Sequence, residues 1–383
     1  MTWIHIKNAH IYAPEDLGIT NLLVWNGQIV SVGSTVAPPS GVDVQTIEAN
    51  GCPLLPGFID PHIHIMGASG AGGPTNRTPD QPISRLTLAG ITTVVSPLGT
   101  DSLSRTLPDL LMRAEAATAE GVSAYAYTGG WATPVPTLTQ DALSDVTFLP
   151  RVLGIKVAIA EAMAPPLSVE QLAHYAHAAV IGGKLVNKRA VLHAHIGDRA
   201  EGLQPLWDAG KQCGLPLDRF VATHINRNPA LLDMAIDFAK AGGSIDVTSQ
   251  IQVERGYKQA TPAANAIVKL IDANVPVKHI TLSSDSGGAY TQQGESRFHM
   301  AKPDTLWQTV QNLIQMGLTY SQIASIASHH ASELLGLTHK GRIASGADAD
   351  LLLLTPSGAL NSVWSRGQLM VQNNQALVTS DYE

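Results

Sequence analysis

Between residues 58 and 283, short apolar runs of β-type residues alternate with longer helical patterns. The runs predict eight strands, at Phe58–His64, Thr92–Ser96, Ser123–Thr128, Val152–Ile159, Arg189–His195, Phe220–His224, Ser244–Val247 and His279–Ser283. Helical patterns lie between most of them, at Ser84–Ala89, Leu107–Glu120, Val169–Ile181, Leu203–Cys213, Ala230–Ala241 and Ala263–Ala273. Parallel strands need crossover connections, and eight such units close a sheet on itself. The pattern therefore predicts an α/β fold, a (β/α)8 TIM barrel. A doubly wound open sheet is the alternative, but it usually carries a phosphate-binding glycine motif that this sequence lacks.

The two ends of the chain show a different pattern, in which short β-type runs are separated by turn residues. Asn26-Gly27 is a hairpin signal in the first segment. After two helical stretches, Asp304–Gln315 and Ser321–Leu335, similar runs return at Leu351–Leu354, Val363–Trp364 and Leu369–Val371. Because the two sets of runs resemble each other, we predict that residues 1–55 and 339–383 pair as a small discontinuous β-sandwich domain beside a barrel of residues 56–338.

The composition indicates the size of the core, the kinds of partner to exclude and the cellular location of the protein. Charged residues make up only 14% of the chain, against about 25% in an average protein, which indicates a large buried core. The net charge of −7 is mild, so neither nucleic acid nor a membrane is an expected partner. No signal peptide and no apolar run of the ~20 residues that cross a bilayer is visible. Because Cys52 and Cys213 fit no metal or redox pattern, a soluble, reducing, cytoplasmic location is predicted.

Side chains that can bind metal lie at the ends of several predicted strands. His62 and His64 end the first strand, and residues two apart on a strand point to the same side. The fourth, fifth, sixth and eighth strands end near Lys156, His195, His224 and Asp285. Active sites of barrels are built at the carboxyl ends of the strands, so we expect these side chains to converge on a metal site. A His-x-His pair alone is a weak signal. The prediction depends on the presence of metal-capable side chains at the ends of five predicted strands.

The remaining histidines have simpler interpretations. His193 points to the same side of its strand as His195, and it is predicted to be a neutral group behind the ligands or a packed barrel residue. Solvated or capping roles are predicted for His174, His177, His329 and His330.

Several stretches of the chain match one known family. They are Gly57–Asp60 continuing to His64, Gly73–Pro79, Leu98–Ser102, Gly154–Lys156, His195–Asp198, Thr223–Asn228, Ser283–Asp285, Gly341–Ile343 and Gly346–Leu351. Over nearly its whole length the chain resembles the amidohydrolase superfamily and, within it, the bacterial isoaspartyl (β-aspartyl) dipeptidases. The resemblance implies a metal-dependent hydrolase of amide bonds that forms homo-oligomers.

The resemblance also implies a role for each metal-capable side chain. His62, His64 and Asp285 would hold one Zn²⁺ ion, and His195 and His224 would hold a second. Lys156 would bridge the two ions as a carbamate formed with carbon dioxide. A hydroxide shared by the ions would be the nucleophile, because bound zinc lowers the pKa of water from 15.7 to about 7. Asp285 would be the general base that later returns the proton to the leaving amine.

The sequence departs from the dipeptidases where they bind their substrate. The family's acidic, arginine, tyrosine and serine contacts fall here at Ala71, Met163, Trp131 and Ala289, while Thr100 and Arg227 remain. Each lost charge-assisted hydrogen bond costs roughly 1.5–3 kcal/mol. Two or three such losses would weaken binding of an isoaspartyl dipeptide about a thousandfold or more. We therefore expect a less charged substrate, small and amide- or dipeptide-like.

One segment could restore polar contacts. By comparison with the dipeptidase pattern the loop Gln250–Thr261 is longer, and its Arg255, Tyr257 and Lys258 could face the substrate. The other interpretation is a solvated loop without a role. Three alternatives to an altered amidohydrolase also stay open. The first is a genuine isoaspartyl dipeptidase, and the second is another enzyme on the same barrel, either a hydrolase of lactams or cyclic imides, a lactonase or a deaminase. The third is a non-catalytic assembly protein.

Overall fold

The computed structural model describes residues 2–68 and 72–383. The chain opens with five strands that alternate with turns. They are β1 (Trp3–Tyr12), β2 (Asp16–Trp25), β3 (Gln28–Gly33), β4 (Val44–Glu48) and β5 (Pro53–Pro56). Asn26 and Gly27 form the tight turn between β2 and β3, and both have positive φ. The predicted hairpin at this position is therefore confirmed.

Eight parallel strands follow and form the barrel. They are β6 (Phe58–Asp60), β7 (Ile91–Ser96), β8 (Ser123–Gly129), β9 (Val152–Ile159), β10 (Val191–Ile196), β11 (Phe220–Thr223), β12 (Ser244–Thr248) and β13 (Ile280–Ser283). Each strand pairs with its neighbours in sequence. Beyond the ends of β13 and β6, the Asp285 N–H donates to the His62 carbonyl oxygen at 2.9 Å, which brings the first and last strands together. The predicted barrel is confirmed.

The first barrel strand is shorter than predicted. It ends at Asp60, and His62 and His64 follow it in an irregular segment. Pro61 has no N–H to continue the ladder, and the His62 N–H donates instead to the Asp60 carboxylate at 3.2 Å. The prediction that both histidines lie on the strand is therefore wrong, although both side chains still reach the same cavity.

Helices connect the strands and cover the barrel. They are α1 (Ile83–Leu88), α2 (Leu107–Ala119), α3 (Ala142–Phe148), α4 (Val169–Leu185), α5 (Gln204–Cys213), α6 (Pro229–Lys240), α7 (Ala263–Asp272), α8 (Asp304–Gln315), α9 (Tyr320–Ala324) and α10 (His330–Leu335). The sequence pattern missed α3, and a π-helical turn at Ser325–His329 separates α9 from α10. His330 is buried rather than solvated, because α10 packs against the barrel. Among the described residues, no helix is long and apolar enough to cross a bilayer.

The remaining strands follow β13. A hairpin of β14 (Ala289–Thr291) and β15 (Phe298–Met300) comes first, and then β16 (Leu351–Leu354), β17 (Leu360–Ser365), β18 (Gln368–Gln372) and β19 (Gln375–Ala376). The last four join β1–β5 in one nine-stranded sheet, in which β16 pairs antiparallel with β5. The two chain ends therefore pair in a β unit with its own apolar core, as the sequence predicted.

Candidate metal centre

A cavity of about 310 Å³ lies at the carboxyl ends of the barrel strands, where barrel enzymes build their active sites. All the side chains predicted as metal ligands line it: His62, His64, Lys156, His195, His224 and Asp285. Small-molecule sites typically measure about 300–1,000 Å³, so this cavity suits a compact substrate.

Three of these residues form a compact donor group. One ligand atom from each of His62, His224 and Asp285 lies within 4.8 Å of the others. The Asp285 carboxylate is also 3.3 Å from His64 Nε2 and 3.5 Å from His62 Nε2. Imidazole nitrogens and a carboxylate oxygen at such spacing can share one divalent ion.

The second nitrogen of each of these histidines is held by the protein. His64 Nδ1 contacts the Pro97 carbonyl oxygen at 3.1 Å, and His224 Nδ1 contacts Thr248 Oγ1 at 2.9 Å. His62 Nδ1 lies 2.8 Å from His193 Nε2. Such contacts fix the ring orientation of a metal ligand. They place His193 behind the donor group.

The backbone of the site adopts an uncommon conformation. His224 and Asp285 have φ values of 69° and 53°, in the left-handed region that costs residues with a side chain on the order of 1–3 kcal/mol. Gly287 also has positive φ, and a Cβ there would collide with the His64 carbonyl. The chain therefore turns sharply at the strand ends, which directs both side chains into the cavity.

Burial sets the protonation of the site. It lowers the pKa of His62, His195 and His224 well below the usual value, and Lys156 adds to the effect. Neutral imidazole is the form that binds metal. Burial also lowers the pKa of Lys156 to about 8, partly opposed by Asp285. Burial alone would raise the pKa of Asp285, but His224, His64 and Lys156 outweigh it and the pKa is lowered.

Lys156 lies inside a strand rather than at its end. It is the fifth residue of β9, which is buried along its whole length. Strands that are buried on both faces are normally continuous apolar runs. Burying a lysine cation in such a strand is costly unless the cation is paired or loses its charge.

His195 faces a different set of groups. Its Nε2 lies 3.3 Å from Glu161 and 3.3 Å from an Arg227 guanidinium nitrogen. Arg227 is held by Asp198 at 2.8 Å and by Glu161 at 3.4 Å. Its guanidinium, predicted to bind substrate, therefore already has two carboxylate partners.

The structure places nearly all the predicted substrate contacts around the cavity. They are Thr100, Trp131, Met163, Arg227, Tyr257 and Ala289. The Trp131 ring lies 4.6 Å from that of His195, measured between centroids. Ala71 lies outside the described residues, so its prediction stays a prediction.

The loop after β12 contributes to the cavity. Arg255, Gly256 and Tyr257 all line it, and the Arg227 guanidinium lies 5.4 Å from the centre of the Tyr257 ring. Burial raises the pKa of the Tyr257 hydroxyl to about 12, so the hydroxyl stays a hydrogen-bond donor at neutral pH. These positions favour a loop that contributes polar contacts to the cavity over a solvated loop without a role.

Sequence reasoning missed Glu161 and the hairpin β14–β15. Glu161 follows β9 by two residues, so the rule that found the other strand-end residues could have found it. Tyr290, Thr291 and Phe298 line the cavity from the hairpin. The sequence of this hairpin does not place these residues at the end of a barrel strand, and only the folded hairpin brings them to the mouth of the barrel.

A family model gives the decisive comparison. The model of the amidohydrolase family matches residues 54–370. The chain belongs to the amidohydrolase family. The predicted enzyme class, a hydrolase that acts on C–N bonds, is confirmed by this assignment.

Solved structures and curated proteins place this amidohydrolase among known relatives. The β-aspartyl dipeptidase of Fervidobacterium islandicum AW-1, in complex with a β-Asp-Leu dipeptide, is similar with a TM-score of 0.89 and 28% identity over 98% of both chains. A D-hydantoinase from Thermus sp. has a TM-score of 0.72 and 16% identity, over 98% of this chain and 97% of that one, which shows the shared fold alone. The N-acetylglucosamine-6-phosphate deacetylase of Lysinibacillus sphaericus is 25% identical over 186 residues, 45% of this chain and 47% of that protein. The chain thus spans about half the length of this curated relative.

Amidohydrolases usually bind metal, and the donor set of this member fits a divalent ion. Neutral imidazoles, a carboxylate and a buried lysine face one cavity. The second nitrogens of His64 and His224 face protein oxygens, which leaves their Nε2 atoms available to a metal.

Proposed function

We propose that this amidohydrolase is a binuclear zinc enzyme that hydrolyses an amide bond in a small, peptide-like substrate. The observation that carries the proposal is the group of His62, His224 and Asp285, whose ligand atoms lie within 4.8 Å of one another in the barrel cavity. The similarity to a dipeptidase that binds β-Asp-Leu supports a peptide-like substrate.

The metal-binding roles are those that the resemblance to the dipeptidases implies, and the position of all six side chains around one cavity supports them. His62, His64 and Asp285 would hold one ion, and His195 and His224 the other. Lys156 would bridge them as a carbamate. Its formation from the lysine cation joins Nζ to the carbon of carbon dioxide and releases two protons, so a buried cation becomes an anion. Bound zinc would supply an acidified water and polarise the substrate carbonyl.

The side chains of the protein would then position the substrate and move the proton. The Asp285 carboxylate would accept a proton from the attacking water and return it to the leaving nitrogen. Trp131 and Tyr257 would offer N–H and O–H donors to the amide. Met163 and Ala289 would contact an apolar part of the substrate. Glu161 adds a carboxylate to the lining.

A genuine isoaspartyl dipeptidase is the second candidate. The similarity over 98% of both chains favours it, whereas the residues at Met163, Trp131 and Ala289 favour an altered substrate. Hydrolysis of β-Asp-Leu at the rate of a dedicated dipeptidase would establish this second candidate.

The first experiment measures metal content and substrate range together. We expect about two zinc ions per chain and hydrolysis within a panel of β-Asp-Leu, N-acyl amino acids, lactams and cyclic imides. His62→Ala should lose both zinc and activity. His174→Ala, which alters an exposed histidine, should keep both. One zinc per chain would revive the deaminase interpretation, and a metal-free protein inactive on the whole panel would refute the proposal.

Three further expectations belong to this proposal. The bounds 1–55 with 339–383 and 56–338 are proposed for the β domain and the barrel, and the pairing of β5 with β16 supports a unit built from both ends. A cytoplasmic location and a homo-oligomer are also proposed, on composition and on resemblance respectively.

A further inference from the structure

Arg255 is a cavity-lining arginine whose charge the protein leaves largely uncompensated. Its Nη1 is buried and has no hydrogen-bond partner among the described residues. Among the described residues, Arg255 takes part in no ion pair with a carboxylate. A buried donor without a partner is unfavourable, so this position favours a ligand that supplies an acceptor.

The arginine is held in place without being neutralised. It ends a short 3-10 turn, Val253–Arg255, and its guanidinium lies 4.6 Å from the centre of the Tyr290 ring. Tyr290 belongs to the hairpin β14–β15, which the loop also contacts through the Gln293 N–H and the Glu254 carbonyl oxygen at 2.8 Å. The guanidinium is thus oriented by its contact with the aromatic ring, and Nη1 remains for a ligand.

The other arginine of the cavity has carboxylate partners within the protein. Arg227 contacts Asp198 at 2.8 Å and Glu161 at 3.4 Å. Its positive charge is therefore already balanced within the protein. An anionic substrate gains more from Arg255, whose charge is not balanced.

We infer that Arg255 binds a carboxylate of the substrate and thereby determines specificity. The guanidinium fork matches the geometry of a carboxylate. Met163 occupies the position where the resemblance implies a carboxylate-binding arginine, and Arg255 supplies the same chemistry from the loop after β12. The substrate class is then an amide that carries a free carboxylate. This inference rests on the proposed function, because it places the carboxylate in the same cavity as the metal ligands.

The test measures binding, so that it does not depend on turnover. Isothermal titration calorimetry compares N-acetyl-L-leucine with its neutral amide, N-acetyl-L-leucinamide, on the zinc-loaded protein. We expect the carboxylate to bind about tenfold or more tightly than the amide, the effect of one charge-assisted hydrogen bond. Arg255→Met should abolish this preference and leave the affinity for the amide within about twofold. Arg255→Lys should retain part of it.

A matched control removes an arginine from the same region. Arg297→Met alters an exposed residue near the hairpin and should keep the wild-type preference. Equal affinities of the wild type for the two compounds, or an Arg255→Met protein that folds and keeps the preference, would overturn the inference. Stronger Arg255-dependent binding of N-acetylglucosamine 6-phosphate than of the carboxylate would also overturn it. These outcomes are separate from those that decide the proposed function, which are the zinc content of the wild type and its hydrolysis of the amide panel.

Discussion

Lys340 makes a buried ionic contact between the barrel and the sheet of the chain ends. Its Nζ lies 2.7 Å from Asp350, 2.7 Å from Asp348 and 2.7 Å from Ser123 Oγ. Ser123 begins β8, and Asp350 immediately precedes β16. The side chains of Lys340 and Asp350 are each only 4% exposed. Lys340→Met would therefore leave a carboxylate buried without its cation.

The size of the effect follows from that burial. Removing one partner of a buried ion pair typically costs about 3–5 kcal/mol. Native proteins have a free energy of unfolding of only about 5–15 kcal/mol, so the loss should be large. Burial lowers the pKa of Lys340, but Asp350 and Asp348 outweigh it and the pKa is raised. The lysine is therefore charged at neutral pH and forms an ion pair with the buried carboxylate.

The assay is urea unfolding followed by circular dichroism, with a matched surface pair as the control. Lys269 lies 2.7 Å from Asp233, but the two side chains are 45% and 66% exposed. Exposed pairs contribute about 0–1 kcal/mol, so Lys269→Met should change stability little.

Two outcomes test whether the effect of Lys340→Met comes from the burial of its ion pair. Lys340→Met with Asp350→Leu should recover much of the loss, because the buried carboxylate is removed together with its cation. Only Asp348, whose side chain is 22% exposed, then lacks the lysine. If Lys340→Met and Lys269→Met destabilise the protein equally, the reasoning from burial is refuted.

Two other predictions concern buried histidines. His193→Leu removes the contact to His62 Nδ1 at 2.8 Å and should weaken zinc binding about 10- to 100-fold in a chelator competition; an unchanged affinity would contradict a positioning role. Burial lowers the pKa of His330 to about 4, so between pH 6.5 and 4 the unfolded chain binds a proton that the folded chain does not. Stability is therefore full above pH 6.5 and falls as the pH drops towards 4, by up to about 3 kcal/mol. His330→Asn should flatten this part of the urea-midpoint profile, and an identical slope in both proteins would show that His330 is not responsible.

The sequence alone determined the barrel and the chain positions of the metal-capable side chains. Apolar periodicity is a local property, and parallel strands with crossovers have few ways to close. His224 and Asp285 could therefore be placed near each other before any coordinates were known, because strand ends of a barrel share one face. The pairing of the chain ends followed from the same kind of local pattern.

Only the tertiary structure decided which of these side chains meet, and which groups surround them. Glu161, His195 and Arg227 come from three different strand ends, and their contacts depend on loop conformations that no local pattern encodes. Arg255 reaches the cavity because its loop packs against the hairpin β14–β15. His330 looked like a solvated residue until the packing of α10 buried it. Local periodicity places strands and helices, whereas partners far apart in sequence are selected by packing, burial and charge in the folded chain.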